Sequence, residues 1–238
     1  MPGVDEIVEQ LRSLSSPDAK AGMNRVGIRL ENALGVDTTS LKRLATEIGR
    51  DHALALALWD TGIYEAMTIA VWIDDPAQVT EEQMDRWAAD FKSWDLCDHA
   101  CFTLFDKTPY GFKKCREWAA DDREYVKRAG FAMMAGLAIH DKKSPDETIA
   151  EFFPLIVKGA SDERHMVKKA VSWALRQTGK RNLALNAAAL AVAEEIKNIG
   201  GGSARWIASD ATRELKSDAV RARLEKWDAK KKAGTSAL

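Results

Sequence analysis

The sequence has no apolar run of about 18 residues, so no membrane-spanning helix is expected. Its first residues, "MPGVDEIVEQLRSL", bring in acids early and contain no apolar stretch, which argues against a secretory signal. Three cysteines in 238 residues fit free thiols in a reducing cytoplasm better than a disulfide framework. Neither charge is in excess: 35 Lys and Arg stand against 36 Asp and Glu, a net charge of −1. A uniformly basic surface of the kind many nucleic-acid binders carry is therefore excluded. Any recognition by charge must come from its distribution. Lys and Arg gather in "RHMVKKAVSWALRQTGKR" and again near the C-terminus, and acids gather in 74–95 and 117–124. β-branched runs alternating with period two are also scarce, which argues against sheet architectures.

The chain is rich in alanine, leucine and charged residues, and 46% of it is hydrophobic, enough for a substantial core. It reads as helix throughout, with breaks at regular places. "SSPDAK" caps a helix near Pro17, and "LGVDTTS" offers Gly35 as a stop with Asp37 to Ser40 as capping choices. Helix formation restarts at Thr80, with Gln83 completing a capping box, and again at Ser144-Pro145-Asp146. Helices pair over 38–73, 80–106, 111–140, 146–179 and 181–216, a loose period of roughly 35–40 residues in the range of HEAT-type repeats. No sharp internal consensus marks the repeat, so on spacing alone an irregular α-bundle is the alternative. The expected fold is an all-α, curved α-α superhelix (solenoid) of HEAT-like antiparallel helix pairs. It forms a single domain over 1–230, with a frayed tail at 231–238.

Three segments carry candidate chemistry. Projected at about 100° per residue, the helix over 162–180 places Val167, Ala170, Val171, Ala174 and Leu175 on one side. Lys169, Trp173, Arg176 and Lys180 fall on the other. A Trp among cations opposite the core suits a phosphate with its base or sugar; a Trp packed on the next helix is the ordinary reading. In "KSWDLCDHAC", Leu96, Cys97, Ala100, Cys101 and Leu104 line one side, which makes the cysteines core residues. A zinc site from Cys97, His99 and Cys101 fails because His99 leaves that face. Trp94, Asp98 and Phe105 form another stripe, where a carboxylate against an aromatic could stabilise a cation, or where Asp98 is merely structural. Asp95 suits the helix N-terminus. In the nearly apolar helix 123–140, Arg128 is either a buried salt-bridge partner or a phosphate clamp.

These segments, in this order, resemble the DNA alkylation repair family of HEAT-like-repeat alkylpurine DNA glycosylases. "SWDLCD" resembles its Trp-Asp segment, "YVKRAGFAMMA" its Arg-containing helix, and "KKAVSWALRQTGKRN" its Trp-x-Leu-Arg helix. "LGV…LKRLATEI" and "ALALWDTGIYEAM" resemble its earlier repeats, so the likeness spans roughly 20–216. The resemblance implies Asp98 as catalytic carboxylate and Trp94 and Trp173 as aromatics beside the lesion. It implies Arg128 as a cleft or phosphate contact and Arg176 as a groove arginine. With Lys169, Lys180 and Arg181 these cations would form a basic concave groove on double-stranded DNA containing alkylated purines. The protein would act as a monomer with no cofactor or metal. Two positions depart from the family pattern: Ser93 stands where an aromatic is common, and Val26 where Tyr can occur. They bear on lesion contact and substrate range. Two rival functions share the scaffold, a non-catalytic binder of damaged or branched DNA and a helical-repeat adaptor for protein partners.

Overall fold

The computed structural model describes the backbone of residues 2–235 and the side chains of residues 2–230. Every regular element among them is helical, and no helix is long and apolar enough to cross a membrane. Contacts gather in two compact units, Met1–Tyr110 and Gly111–Leu238, where the sequence suggests one repeat domain over residues 1–230. The first unit holds α1 (Val4–Ser13), α2 (Pro17–Arg25), α3 (Thr38–Ile48), α4 (His52–Trp59), α5 (Tyr64–Ile73), α6 (Glu81–Ala89) and α7 (Trp94–Thr103), followed by a 3-10 turn at Phe105–Lys107. The second holds α8 (Gly111–Ala119), α9 (Glu124–His140), α10 (Asp146–Ala150), α11 (Phe152–Gly159), α12 (His165–Gly179), α13 (Leu183–Ile199), α14 (Gly202–Leu215) and α15 (Asp218–Thr235). The frayed tail expected at 231–238 falls on side chains and final residues outside those described. The backbone of α15 continues to Thr235.

In the second unit α8 pairs with α9 and α13 with α14 across short loops. α9, α12 and α14 pack side by side as one layer, and in a second α11 contacts both α8 and α13. That two-layered stacking is the HEAT-like arrangement expected from the spacing. The first unit pairs α4 with α5, and α5 packs between α3 and α7.

The repeat has a consensus that spacing alone did not reveal. Asp121-Asp122-Arg123, followed by Val126-Lys127-Arg128-Ala129, recurs as Asp162-Glu163-Arg164, followed by Val167-Lys168-Lys169-Ala170. The structure gives both copies the same job. Asp121 accepts from the backbone N–H of Arg123 at 2.8 Å and from its Nη2 at 2.8 Å. Asp162 accepts the matching pair from Arg164 at 3.1 and 2.6 Å. Each forked pair fixes the turn that launches a long helix, α9 or α12, neither of which has a side-chain N-cap. Lys127 crosses to Asp162 at 3.2 Å, so one repeat is tied to the next. Arg128 and Lys169 thereby occupy equivalent places.

Three local expectations are corrected. Gly35 does not stop a helix, because α2 already ends at Arg25. Gly35 has φ +87° and packs so closely that a Cβ would lie 2.8 Å from the Ser16 carbonyl oxygen. There its N–H, with those of Leu34 and Val36, donates to the buried Glu65 carboxylate of α5 at 2.7–3.3 Å. Gln83 does not close a capping box: Thr80 caps α6 alone, and Gln83 donates to buried Asp74 at 2.6 Å. Phe105 is not on the Trp94 stripe, because α7 ends at Thr103 and Phe105 is buried in the 3-10 turn.

Candidate functional site

α7 is set by its ends. Ser93, where the family pattern often has an aromatic, is buried and caps the helix, its Oγ accepting from the Leu96 N–H at 3.4 Å. Leu96, Cys97, Ala100 and Cys101 fill the core as the periodicity predicts. The three cysteines are buried and form no disulfide. Burial, the hydrogen bond with Cys97 and the charges of Asp98 and Asp106 push the Cys101 thiol up, so it is inert as a nucleophile near neutral pH. Among the described residues no group of three His, Cys, Asp or Glu could hold a metal ion. Asp95, in the first turn, accepts from the Tyr64 hydroxyl and lies 3.7 Å from His99 Nε2. Burial, then the Asp95 charge, pushes the Tyr64 hydroxyl up.

Trp94 and Asp98 share the remaining face, one turn apart, and both are half-buried. Trp94 donates its indole N–H to the Val26 carbonyl oxygen at 3.1 Å. Val26, the other departure from the family pattern, is 57% exposed at the C-terminal cap of α2. Its contribution to Trp94 is thus a backbone oxygen, which no side-chain pattern could reveal. A cleft of about 290 Å³ opens beside this helix start, with Trp59, Tyr64, Lys92 and Ser93 in its wall. Neither Trp94 nor Asp98 lines it.

In the second unit, Arg128 is 5% exposed and donates Nη1 to the Met166 carbonyl oxygen at 2.7 Å. α9 thus holds its buried arginine against the first turn of α12. Lys169 is exposed. Burial, then the charges of Lys169, Lys168 and Arg128, hold His165 below its ordinary pKa, with Glu124 acting the other way. That turn carries no acid. Lys168 lies over the half-exposed Trp206 ring at 5.6 Å. Val167, Ala170, Val171, Ala174 and Leu175 form the core face of α12 as projected, and Trp173 is half-buried on the other.

The rest of the expected basic stripe is internally compensated. Arg176 Nη1 pairs with Glu214 and its Nε lies 3.4 Å from Asp210. Lys180 meets the other Glu214 oxygen at 2.5 Å. Burial raises the Glu214 pKa, but hydrogen bonds from Lys180 and Arg176 prevail and hold it low. The Arg181 side chain is 8% exposed, with donors to the Asp141 and Ser144 carbonyl oxygens and an ion pair to Asp146 at 3.3 Å. It staples α12 to the turn after α9.

Fold and side chains together define a HEAT-like-repeat protein carrying a carboxylate–aromatic pair and a cationic helix start. Residues 7–215 match the family model described as DNA alkylation repair enzyme, and the chain belongs to that family. A solved structure described as "a new family of proteins related to the HEAT-like repeat DNA glycosylases with affinity for branched DNA structures" superposes with a TM-score of 0.76. That likeness covers 94% of this chain and 96% of the other at 22% identity, and it carries the fold. No curated protein matches the sequence.

Proposed function

We propose that this protein excises positively charged N3- or N7-alkylated purines from double-stranded DNA by hydrolysing the N-glycosidic bond. The observation that carries the reading is the placement of Asp98 with Trp94 on the non-core face of α7. Both ends of that arrangement are held, the helix start by Ser93 and the indole by Val26.

An alkylated purine is already cationic and leaves readily, so little acid assistance is needed. Breaking the bond puts positive charge on the deoxyribose. A carboxylate beside that sugar stabilises the charge and orients the attacking water. Asp98 takes that role. The faces of Trp94 and Trp173 attract the cationic base or the polarised sugar C–H bonds, typically by about 0.5–2 kcal/mol each. Lys169, at the start of α12, serves the phosphates, with Arg128 fixing that turn through Met166. The reading needs no cofactor, and it has the protein act as a cytoplasmic monomer.

One observation favours the second reading, a non-catalytic binder of damaged or branched DNA. Arg176, Lys180 and Arg181 already have internal partners, which leaves fewer cations for a continuous duplex. A base-release assay on duplex DNA carrying a methylated purine separates the two. Excision supports the glycosylase; tight binding without excision supports the binder.

A further inference from the structure

A second surface combines positive charge with an open aromatic. It is a cleft of about 700 Å³ bordered by the turn after α9, the C-terminal end of α12 and α15. Four cations line it: Lys142, Lys180, Arg181 and Arg223. Carboxylates answer two of them, Glu214 for Lys180 and Asp146 for Arg181. Lys142 and Arg223 have no carboxylate at ion-pair distance among the described residues. Arg223 donates Nη2 to the neutral Lys180 carbonyl oxygen at 3.0 Å, so its charge stays uncompensated. Asp141, next to Lys142 in the chain, directs its carboxylate to the backbone of Lys143 and Ser144 and to the Ser144 hydroxyl. Burial, then the charges of Arg181 and Arg223, hold the Lys142 ammonium below its ordinary range, with the Asp141 charge acting the other way. In the same wall Trp227 is 51% exposed.

A phosphodiester answers two uncompensated cations, and a nucleobase answers an open indole. Inside a duplex both faces of every base are covered by neighbours. An indole can stack only on a base whose face is open. The occupant is therefore an unpaired nucleotide, such as one in a flap or at an open branch point.

We propose that this cleft binds an unpaired nucleotide of a DNA strand, its phosphate between Lys142 and Arg223 and its base on Trp227. The inference rests on the reading that this chain binds DNA, and it adds a site for a second, single-stranded arm.

The test measures fluorescence anisotropy of a labelled plain duplex and of the same duplex carrying a short thymidine flap. The proteins are wild type, Trp227→Ala, Trp227→Phe and Lys142→Glu/Arg223→Glu. All three positions are exposed, and matching thermal midpoints verify folding. Wild type is expected to prefer the flap by about fivefold or more, as one base stacked on an aromatic allows. Trp227→Ala and the double variant should lose that preference while keeping wild-type duplex affinity, and Trp227→Phe should restore most of it. A preference that survives in both variants, or an equal loss on both DNAs, overturns the cleft and leaves DNA binding intact. A wild type without flap preference does the same. A wild type that binds neither DNA overturns both this site and the DNA-binding reading.

Discussion

Trp94 donates its indole N–H to the Val26 carbonyl oxygen at 3.1 Å, tying the start of α7 to the end of α2. The bond lies in an exposed setting, so it orients the ring more than it stabilises the fold. Trp94→Phe keeps an aromatic face and loses the donor. It should cost about 0.5–1 kcal/mol in denaturant unfolding and retain most base release. Trp94→Ala should slow base release by about tenfold, the scale of one cation–π contact. Equal release by Trp94→Ala and wild type would remove the ring from the mechanism.

Glu214 gathers two cations that the sequence pattern places on a DNA-facing stripe. Glu214→Gln leaves Arg176 and Lys180 undercompensated. It should lower stability by about 1–3 kcal/mol and strengthen duplex binding at low salt. If both cations then reach phosphates, the slope of log K against log salt steepens by about 1–2. An unchanged slope means that the stripe is structural.

Hydrogen bonds from Arg164, outweighing partial burial, hold the Asp162 pKa down from 3.8 to about 2. A carboxylate with a lowered folded-state pKa adds stability above its unfolded value and loses it as pH falls through the folded value. Stability from this residue should therefore decline between about pH 4 and pH 2, by roughly 2 kcal/mol in total. Asp162→Asn should remove that part of the slope and lower the thermal midpoint at neutral pH. A variant with the wild-type slope over that window would show that the pairing with Arg164 does not drive the shift.

At Gly130 the backbones of α8 and α9 meet. A Cβ there would stand 2.9 Å from Ala119 Cα, and backbone cannot yield as a side-chain tip does. Gly130→Ala should cost about 1–3 kcal/mol despite alanine's better helix propensity. A neutral or stabilised variant in chemical denaturation would contradict the close packing.

The helix pairs were legible because the core faces of α7 and α12 recur with helical period, while α9 is apolar nearly all round. The same projection placed Cys97 and Cys101 inside, and Lys169 and Trp173 away from the core. It could not supply what a neighbouring helix brings to meet a side chain. Glu214 reaches Arg176 from α14, and Glu65 reaches Gly35 from α5. Those partners lie some thirty residues or more along the chain, where periodicity carries no information. The repeated Asp-x-Arg turns were visible in the letters, but a search by spacing passes over a motif of so few fixed residues. The cleft at Trp227 was missed for a related reason. Arg223 and Trp227 sit one turn apart on α15, yet their significance depends on Lys142, brought in from the turn after α9.

The central claim is that Asp98 stabilises the sugar cation formed as an alkylated purine leaves. Its most direct test is single-turnover base release from a duplex carrying one N7-methylguanine, with binding to an undamaged duplex measured in parallel. Asp98→Asn keeps the size of the side chain and removes its charge. Excision should fall by about 100-fold or more, the scale of one electrostatic group in a catalytic site, with duplex affinity within about twofold of wild type because no phosphate-binding cation is lost. Equal release rates for Asp98→Asn and wild type would contradict the account.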